Sequence, residues 1–204
     1  MTIRAALFDM DGTIWNSPVD WLEVRSAIGL PRDGRPILQH LAELPPKERA
    51  RGVRILHRYE AHGVKNGTLI PGTCELIRFL RNFQVKCALV SNNSRRSVEG
   101  VLARHDLPFD LVMSRDDGAF KPDPEPFLIA LQQLNVSPEE ALVIGDAHLD
   151  LLAAHRAGIK EIILVATKEW MRPLLPSDIY FHRAGDLFEV RAIVTGLLRP
   201  GVNS

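Results

Sequence analysis

The sequence predicts an α/β fold, a parallel sheet between two layers of helices with a small helical insertion after the first strand. Three features carry this. Short apolar runs, Ile3 to Phe8, Val85 to Val90 and Ala141 to Ile144, alternate with stretches whose apolar residues recur at helical spacing. These runs end abruptly in polar clusters, Asp9-Met10-Asp11-Gly12, Ser91-Asn92-Asn93-Ser94 and Gly145-Asp146, where a parallel sheet presents its ligand-binding carboxyl edge. Residues 16–68, between the first and second runs, carry helical patterns.

Ile3 to Phe8 lacks helical spacing and is closed by two acids and a glycine, as a buried strand is. Ser17 as N-cap, Pro18 at the first position and Asp20 in the first turn predict a helix with Trp21, Val24 and Ile28 on one face and Gly29 as its stop. After a loop from Leu30 to Arg35, Pro36 leads into a short helix with Ile37, Leu38 and Leu41 inward, broken by Pro45-Pro46. A third helix, from about Lys47 to Ala61, has Ala50, Val53, Leu56 and Tyr59 at helical spacing among many arginines. Thr73 caps a helix carrying Leu76, Ile77 and Leu80. Val85 to Val90 is a strand, Arg95 to His105 a helix, and Phe109 to Met113 a short strand. Asp123 with Pro124 starts a helix that uses Phe127, Leu128, Leu131 and Leu134, and Ser137-Pro138-Glu139-Glu140 is a capping box. The strand Ala141 to Ile144 feeds a helix ending near Ala157, with Gly158 as stop. Glu161 to Val165 and Ile179 to Phe181 are the last strands, and Asp186 to Leu198 is a closing helix. Strands separated by helices imply right-handed crossovers and helices on both faces. The expected organisation is a core domain of 1–15 and 69–204 interrupted by a helical domain of 16–68.

Lys plus Arg equals Asp plus Glu at 25 each, so formal net charge is zero and no global field recruits nucleic acid or a membrane surface. The expected partner is a small molecule, and the expected state a monomer or weak homodimer. Cys74 and Cys87 follow no metal-ligand spacing and read as reduced core thiols. The amino terminus lacks the layout of a signal peptide, and no run approaches ~18 apolar residues, so a soluble cytoplasmic protein is expected.

Four strand ends carry polar residues: Asp9 and Asp11, then Ser91 and Asn92, then Lys121 in the loop after the third strand, then Asp146 and Asp150. Asp9 and Asp11, two apart on an extended chain, project the same way and repel. A divalent cation relieves this, and hard oxygen ligands suit magnesium. The other reading is an acidic turn at Asp11-Gly12. Taken singly, Ser91 and Asn92 are ordinary helix openers, Lys121 a solvated loop lysine, Asp146 a cap and Asp150 dipole compensation. Taken together on one sheet edge, acids, a hydroxyl at a helix start and a lysine supply what phosphoryl transfer requires.

On these residues the sequence resembles the haloacid dehalogenase-like superfamily, in its branch of small phosphatases akin to phosphoglycolate phosphatases. Asp9-Met10-Asp11-Gly12-Thr13 matches the nucleophile motif, Ser91 the second motif, Lys121 the third, and Gly145-Asp146 with Asp150 the fourth. The resemblance spans Ile3 to Phe181 and implies a Rossmann-like three-layer core with 16–68 as a short helical cap. It implies a magnesium-dependent phosphatase acting on a small phosphorylated metabolite. Asp9 would form an aspartyl-phosphate, and Asp11 would serve as general acid and then base. Mg2+ would be held by the Asp9 side chain, the Asp11 carbonyl and Asp146, with Asp150 ligating or supporting. Gly12, Thr13, Ser91, Asn92 and Lys121 would bind phosphate.

Ala147 stands where relatives often carry a small hydroxyl residue, the neighbouring His148 either borders the site or, the preferred reading, is a solvated loop histidine, and Asn16 stands where many phosphatases have an acid. Over residues 17–70 nine Lys plus Arg against six Asp plus Glu leave +3. Arg49, Arg51, Arg54 and Arg58 read as a solvated helix face, and Arg35 and His40 as candidate substrate contacts. Asp11 argues against a metal-free dehalogenase. A phosphomutase of the β-phosphoglucomutase type, or a binding or regulatory protein on the same fold, remain the alternatives.

Overall fold

The computed structural model describes residues 2–198. The first strand, β1 (Ala5–Phe8), is completely buried and pairs in parallel with β4 (Lys86–Val90) on one side and β6 (Ala141–Gly145) on the other. Leu7 lies opposite both Ala88 and Val143. Because side chains alternate across a strand, Ala6 and Phe8 enter one apolar cluster and Ala5 and Leu7 the other. Helices α4 (Thr73–Asn82), α5 (Arg95–Leu102) and α8 (Leu187–Leu198) cover the first face through Leu76, Val98 and Val190, among others. Helices α6 (Glu125–Leu134) and α7 (His148–Arg156) cover the second through Phe127, Leu131 and Leu151. Burial on both faces explains why these strands read as continuous apolar runs. Truncating Phe8 to alanine in such a packed layer costs about 3–5 kcal/mol.

With β5 (Leu111–Met113), β7 (Glu161–Val165) and β8 (His182–Ala184), the described strands form a six-stranded parallel sheet in the order β5-β4-β1-β6-β7-β8. The chain builds outward from β1 through β4 to β5, then returns to β6 on β1's other side. The order therefore reverses around β1, and the crevice at its carboxyl end is the place such sheets offer a ligand.

The insertion hangs from a two-stranded antiparallel stem, β2 (Trp15–Asn16) with β3 (Thr68–Leu69). It contains α1 (Trp21–Ile28), α2 (Ile37–Glu43) and α3 (Pro46–Asn66), gathered on Val19, Val24, Leu41 and Leu56.

The structure corrects several local expectations. Asp20, not Ser17, caps α1, its Oδ1 accepting the amides of Leu22 at 2.8 Å and Glu23 at 3.4 Å. α3 runs past Ala61 to Asn66 and leaves Ala50 exposed; Leu56 is buried as expected with Val53 and Tyr59 half-buried beside it, and Gly52, Ile55, Glu60 and Gly63 are buried as well. α5 stops at Leu102 rather than His105. The last strand lies at His182–Ala184, whereas Ile179 and Phe181 pack against the second cluster from outside the ladder.

Candidate active site

Asp9 directly follows β1, and its amide donates to the Ile144 carbonyl at 2.9 Å, locking the acid beside the end of β6. The chain then turns so tightly that the Met10 carbonyl accepts the amides of Thr13, Ile14 and Trp15. Gly12 makes this possible with φ +83°, and a Cβ there would lie 2.2 Å from Asp146 Oδ2. On the far side of β1, Ser91 donates its amide to Met113 O at 3.0 Å, and its Oγ accepts the Asn93 amide at 3.1 Å. Asn93 in turn donates Nδ2 to Asp11 Oδ2 at 2.5 Å.

Lys121 is 2% exposed. Asn92 clasps its backbone twice, Oδ1 accepting from Lys121 N and Nδ2 donating to Lys121 O, both at 2.8 Å. Its Nζ donates to Asp9 Oδ1 at 2.5 Å, Asp150 Oδ1 at 2.6 Å and Val90 O at 2.9 Å, spending all three ammonium protons. Asp150 Oδ2 accepts the Ala147 amide at 3.2 Å across the start of α7. Asp9, Asp146 and Asp150 bring ligand oxygens within 4.8 Å of one another.

Burial lifts the Asp9 carboxyl from 3.8 to about 6, against the pull of Lys121. Burial likewise lifts Asp11 to about 7, against its hydrogen bond from Asn93. Asp146 is raised well above its ordinary value, first by burial and then by the charges of Asp9 and Asp150. For Lys121, burial pulls downward, but Asp150 and Asp9 outweigh it and hold the ammonium protonated. Three carboxyls, those of Asp146 and Asp150 buried and that of Asp9 half-buried, crowd around one lysine, and among the described residues no side chain donates a hydrogen bond to Asp146. That donor set fits a hard divalent cation.

These groups form the floor of a cleft of about 290 Å³ between sheet edge and insertion, walled by Trp21, Leu38 and Leu56 from the insertion and by Trp170 and Met171 from the loop after β7. Asp9, Asp11, Gly12, Ser91, Asn92, Lys121, Asp146 and Asp150 all line it. Thr13 does not; it is fully buried beneath the turn. The Gly12 amide, expected to face phosphate, donates to Trp15 O at 2.9 Å, whereas the Asn92 amide has no partner among the described residues.

In the insertion, Arg35 lines the cleft and pairs with Glu43 at 2.5 Å. His40 is a correction: it is buried with Nε2 3.1 Å from Asp33 Oδ1 and does not line the cleft. His148 is a second correction, since it is no solvated loop residue. It is buried in the first turn of α7 and lines the cleft, its Nε2 donating to Gly34 O at 3.0 Å. Burial depresses its pKa, and Nδ1 is buried without a partner among the described residues, so the ring is neutral with its proton on Nε2. Asn16 lies exposed on the stem, opposite Thr68, at the rim. Asn93, Glu60 and Lys168 also line the cleft, and Arg115 pairs with Glu60; none of the four stands out in the sequence as a site residue. Asn93 alone carried a signal, as the next polar residue after a motif.

A family model described as haloacid dehalogenase-like hydrolase matches residues 3–158. The chain is 30% identical over 183 residues to a phosphorylated carbohydrates phosphatase of Thermotoga maritima, covering 78% of this chain and 84% of that one. It is 29% identical over 208 residues to the validoxylamine A 7'-phosphate phosphatase of Streptomyces hygroscopicus subsp. limoneus, covering 92% and 96%. A solved hydrolase from Pseudomonas syringae shares the fold at a TM-score of 0.80 with 21% identity, over 96% of this chain and all of that one.

Proposed function

The chain belongs to the haloacid dehalogenase-like hydrolases, and on that premise we propose that it is a magnesium-dependent phosphatase acting on a small phosphomonoester through an aspartyl-phosphate on Asp9. The observation that carries this reading is Lys121 Nζ held between Asp9 and Asp150, with Asp11 beside them on the floor of one cleft.

Lys121 neutralises the Asp9 neighbourhood and leaves Oδ2 of Asp9 outside its hydrogen bond. That oxygen attacks phosphorus, forming the acyl-phosphate bond as the bond to the leaving alkoxide breaks. Asp11, lifted to about 7, holds a proton near neutral pH and gives it to the departing oxygen. In the second half Asp11, now ionised, takes a proton from water as the water oxygen attacks phosphorus, releasing Asp9 and inorganic phosphate. Asp9, Asp146 and Asp150, with the Asp11 carbonyl, would hold Mg2+, which when bound offsets the charge of the phosphoryl oxygens. Ser91 Oγ and the Asn92 amide are the neutral donors for those oxygens.

Residues 16–68 act as a cap over the core of 1–15 and 69–204, excluding water from the cleft. Names of the two phosphatase relatives support a small phosphorylated molecule as substrate. The experiment is phosphate release from a panel of phosphomonoesters with magnesium and with chelator, for wild type and Asp11→Asn. The expected result is magnesium-dependent release that falls roughly 10²- to 10⁴-fold in the variant while magnesium binding persists. No release from any ester, or transfer to a sugar hydroxyl instead of water, would replace this reading with a binding protein or a mutase.

A further inference from the structure

Glu60 belongs to the insertion, on α3, yet its carboxylate is 4% exposed and buried against the sheet domain. Its Oε2 accepts Ser94 Oγ at 2.9 Å, Ser97 Oγ at 3.3 Å and Arg115 Nη2 at 3.2 Å, and its Oε1 accepts Arg115 Nη1. The Arg115 side chain is only 9% exposed, and Nη1 also donates to the Asn92 carbonyl at 3.0 Å. The Arg115 amide donates to Asn93 O at 3.1 Å. The pair therefore grips the turn of residues 91–94 from outside. From inside that turn, Asn92 clasps the backbone of Lys121 and Asn93 donates to Asp11.

Neither charge tolerates separation. An unpaired carboxylate or guanidinium at this depth is strongly disfavoured, so deleting either partner strands the other. Planar Arg115 is suited to the double task because its fork holds Glu60 and a carbonyl together. We propose that Glu60 and Arg115 are positioning residues of the reaction: seating the insertion fixes the 91–94 turn, and the turn fixes Lys121 and Asp11 in their working places. This rests on the phosphatase reading for its kinetic consequence, but the coupling itself is a property of the fold.

The test compares wild type with Glu60→Gln, Arg115→Met and Arg115→Lys. Steady-state kinetics on an accepted phosphomonoester is joined to NMR of the Asn92 and Asn93 side-chain amides in the ligand-free protein. Glu60→Gln and Arg115→Met are expected to lower kcat roughly 10- to 100-fold with KM changed far less, and to shift and deprotect both amides. Arg115→Lys, which keeps the charge but not the fork, is expected to recover part of the loss. A folded Glu60→Gln protein with wild-type kcat and only a raised KM would overturn the proposal, as would unchanged Asn92 and Asn93 amides. Absence of phosphatase activity in wild type would instead sink the phosphatase reading, and the NMR comparison would still decide the coupling.

Discussion

Replacing Lys121 by methionine keeps the side chain's length and apolar stem while removing one charge from a buried cluster. In the wild type, Nζ lies 2.5 Å from Asp9 and 2.6 Å from Asp150, and the residue is 2% exposed. Breaking such a pair by deleting one partner costs about 3–5 kcal/mol, chiefly because the remaining carboxylates stay buried and unpaired. For a chain of this size that corresponds to roughly 6–20 °C in Tm. The assay is thermal unfolding by circular dichroism in chelator at pH 7.5 and pH 5. Without Lys121 the Asp9 carboxyl, already raised to about 6, ionises later still in the folded state, so its protonation at pH 5 relieves the repulsion and the gap to wild type narrows. A Lys121→Met protein unfolding within about 2 °C of wild type at pH 7.5 would refute the reasoning. So would a deficit equal at both pH values, which would place the cost in packing rather than in charge.

The same carboxyls set the stability of the wild type without metal. Asp9 and Asp11 titrate at about 6 and about 7 when folded, against 3.8 for an ordinary aspartate. The folded state therefore holds more protons than the unfolded chain between these values, and stability falls as pH rises through them. For Asp9 alone the difference is on the order of 3 kcal/mol. Denaturant midpoints in chelator are expected to drop from pH 5 to pH 7.5, and magnesium to restore them most at the higher pH; a midpoint flat with pH would contradict the raised carboxyls. His148→Ala removes the tie to Gly34 and is expected to raise KM several-fold with a smaller change in kcat, read by steady-state kinetics. An unchanged KM would show that the tie does not order the loop 30–35.

The sheet was legible because its residues obey one demand. Phe8, Val90 and Ile144 are buried on strands covered on both faces, so nothing polar interrupts their runs, and the Ser137–Glu140 box and the Gly158 stop act locally. The cluster on one edge was legible because Asp9 follows β1 directly, Lys121 lies in the loop after β5, and Asp150 lies in the first turn of the helix after β6. α3 was harder to read since it serves two surfaces. Gly52 packs against Leu41 of the insertion and Gly63 against Ser17 and Val19, contacts with no room for a Cβ, and a glycine contributes nothing to an apolar stripe. Glu60, one acid on an arginine-rich helix, looks solvated until its partner Arg115, 55 residues away, is known. His148 was misread for the same reason, its partner being the Gly34 carbonyl. β8 escaped because an edge strand with His182 and Arg183 carries charge where pattern reading seeks apolar residues.

The most direct test of the central claim is a rapid acid quench of the protein turning over a phosphomonoester labelled in its phosphoryl group, followed by mapping of the labelled peptide, for wild type and Asp9→Asn. Label is expected on the peptide containing Asp9, labile to hydroxylamine, with neither label nor turnover in Asp9→Asn. Label on another residue, or near-wild-type turnover by Asp9→Asn, would contradict the claim.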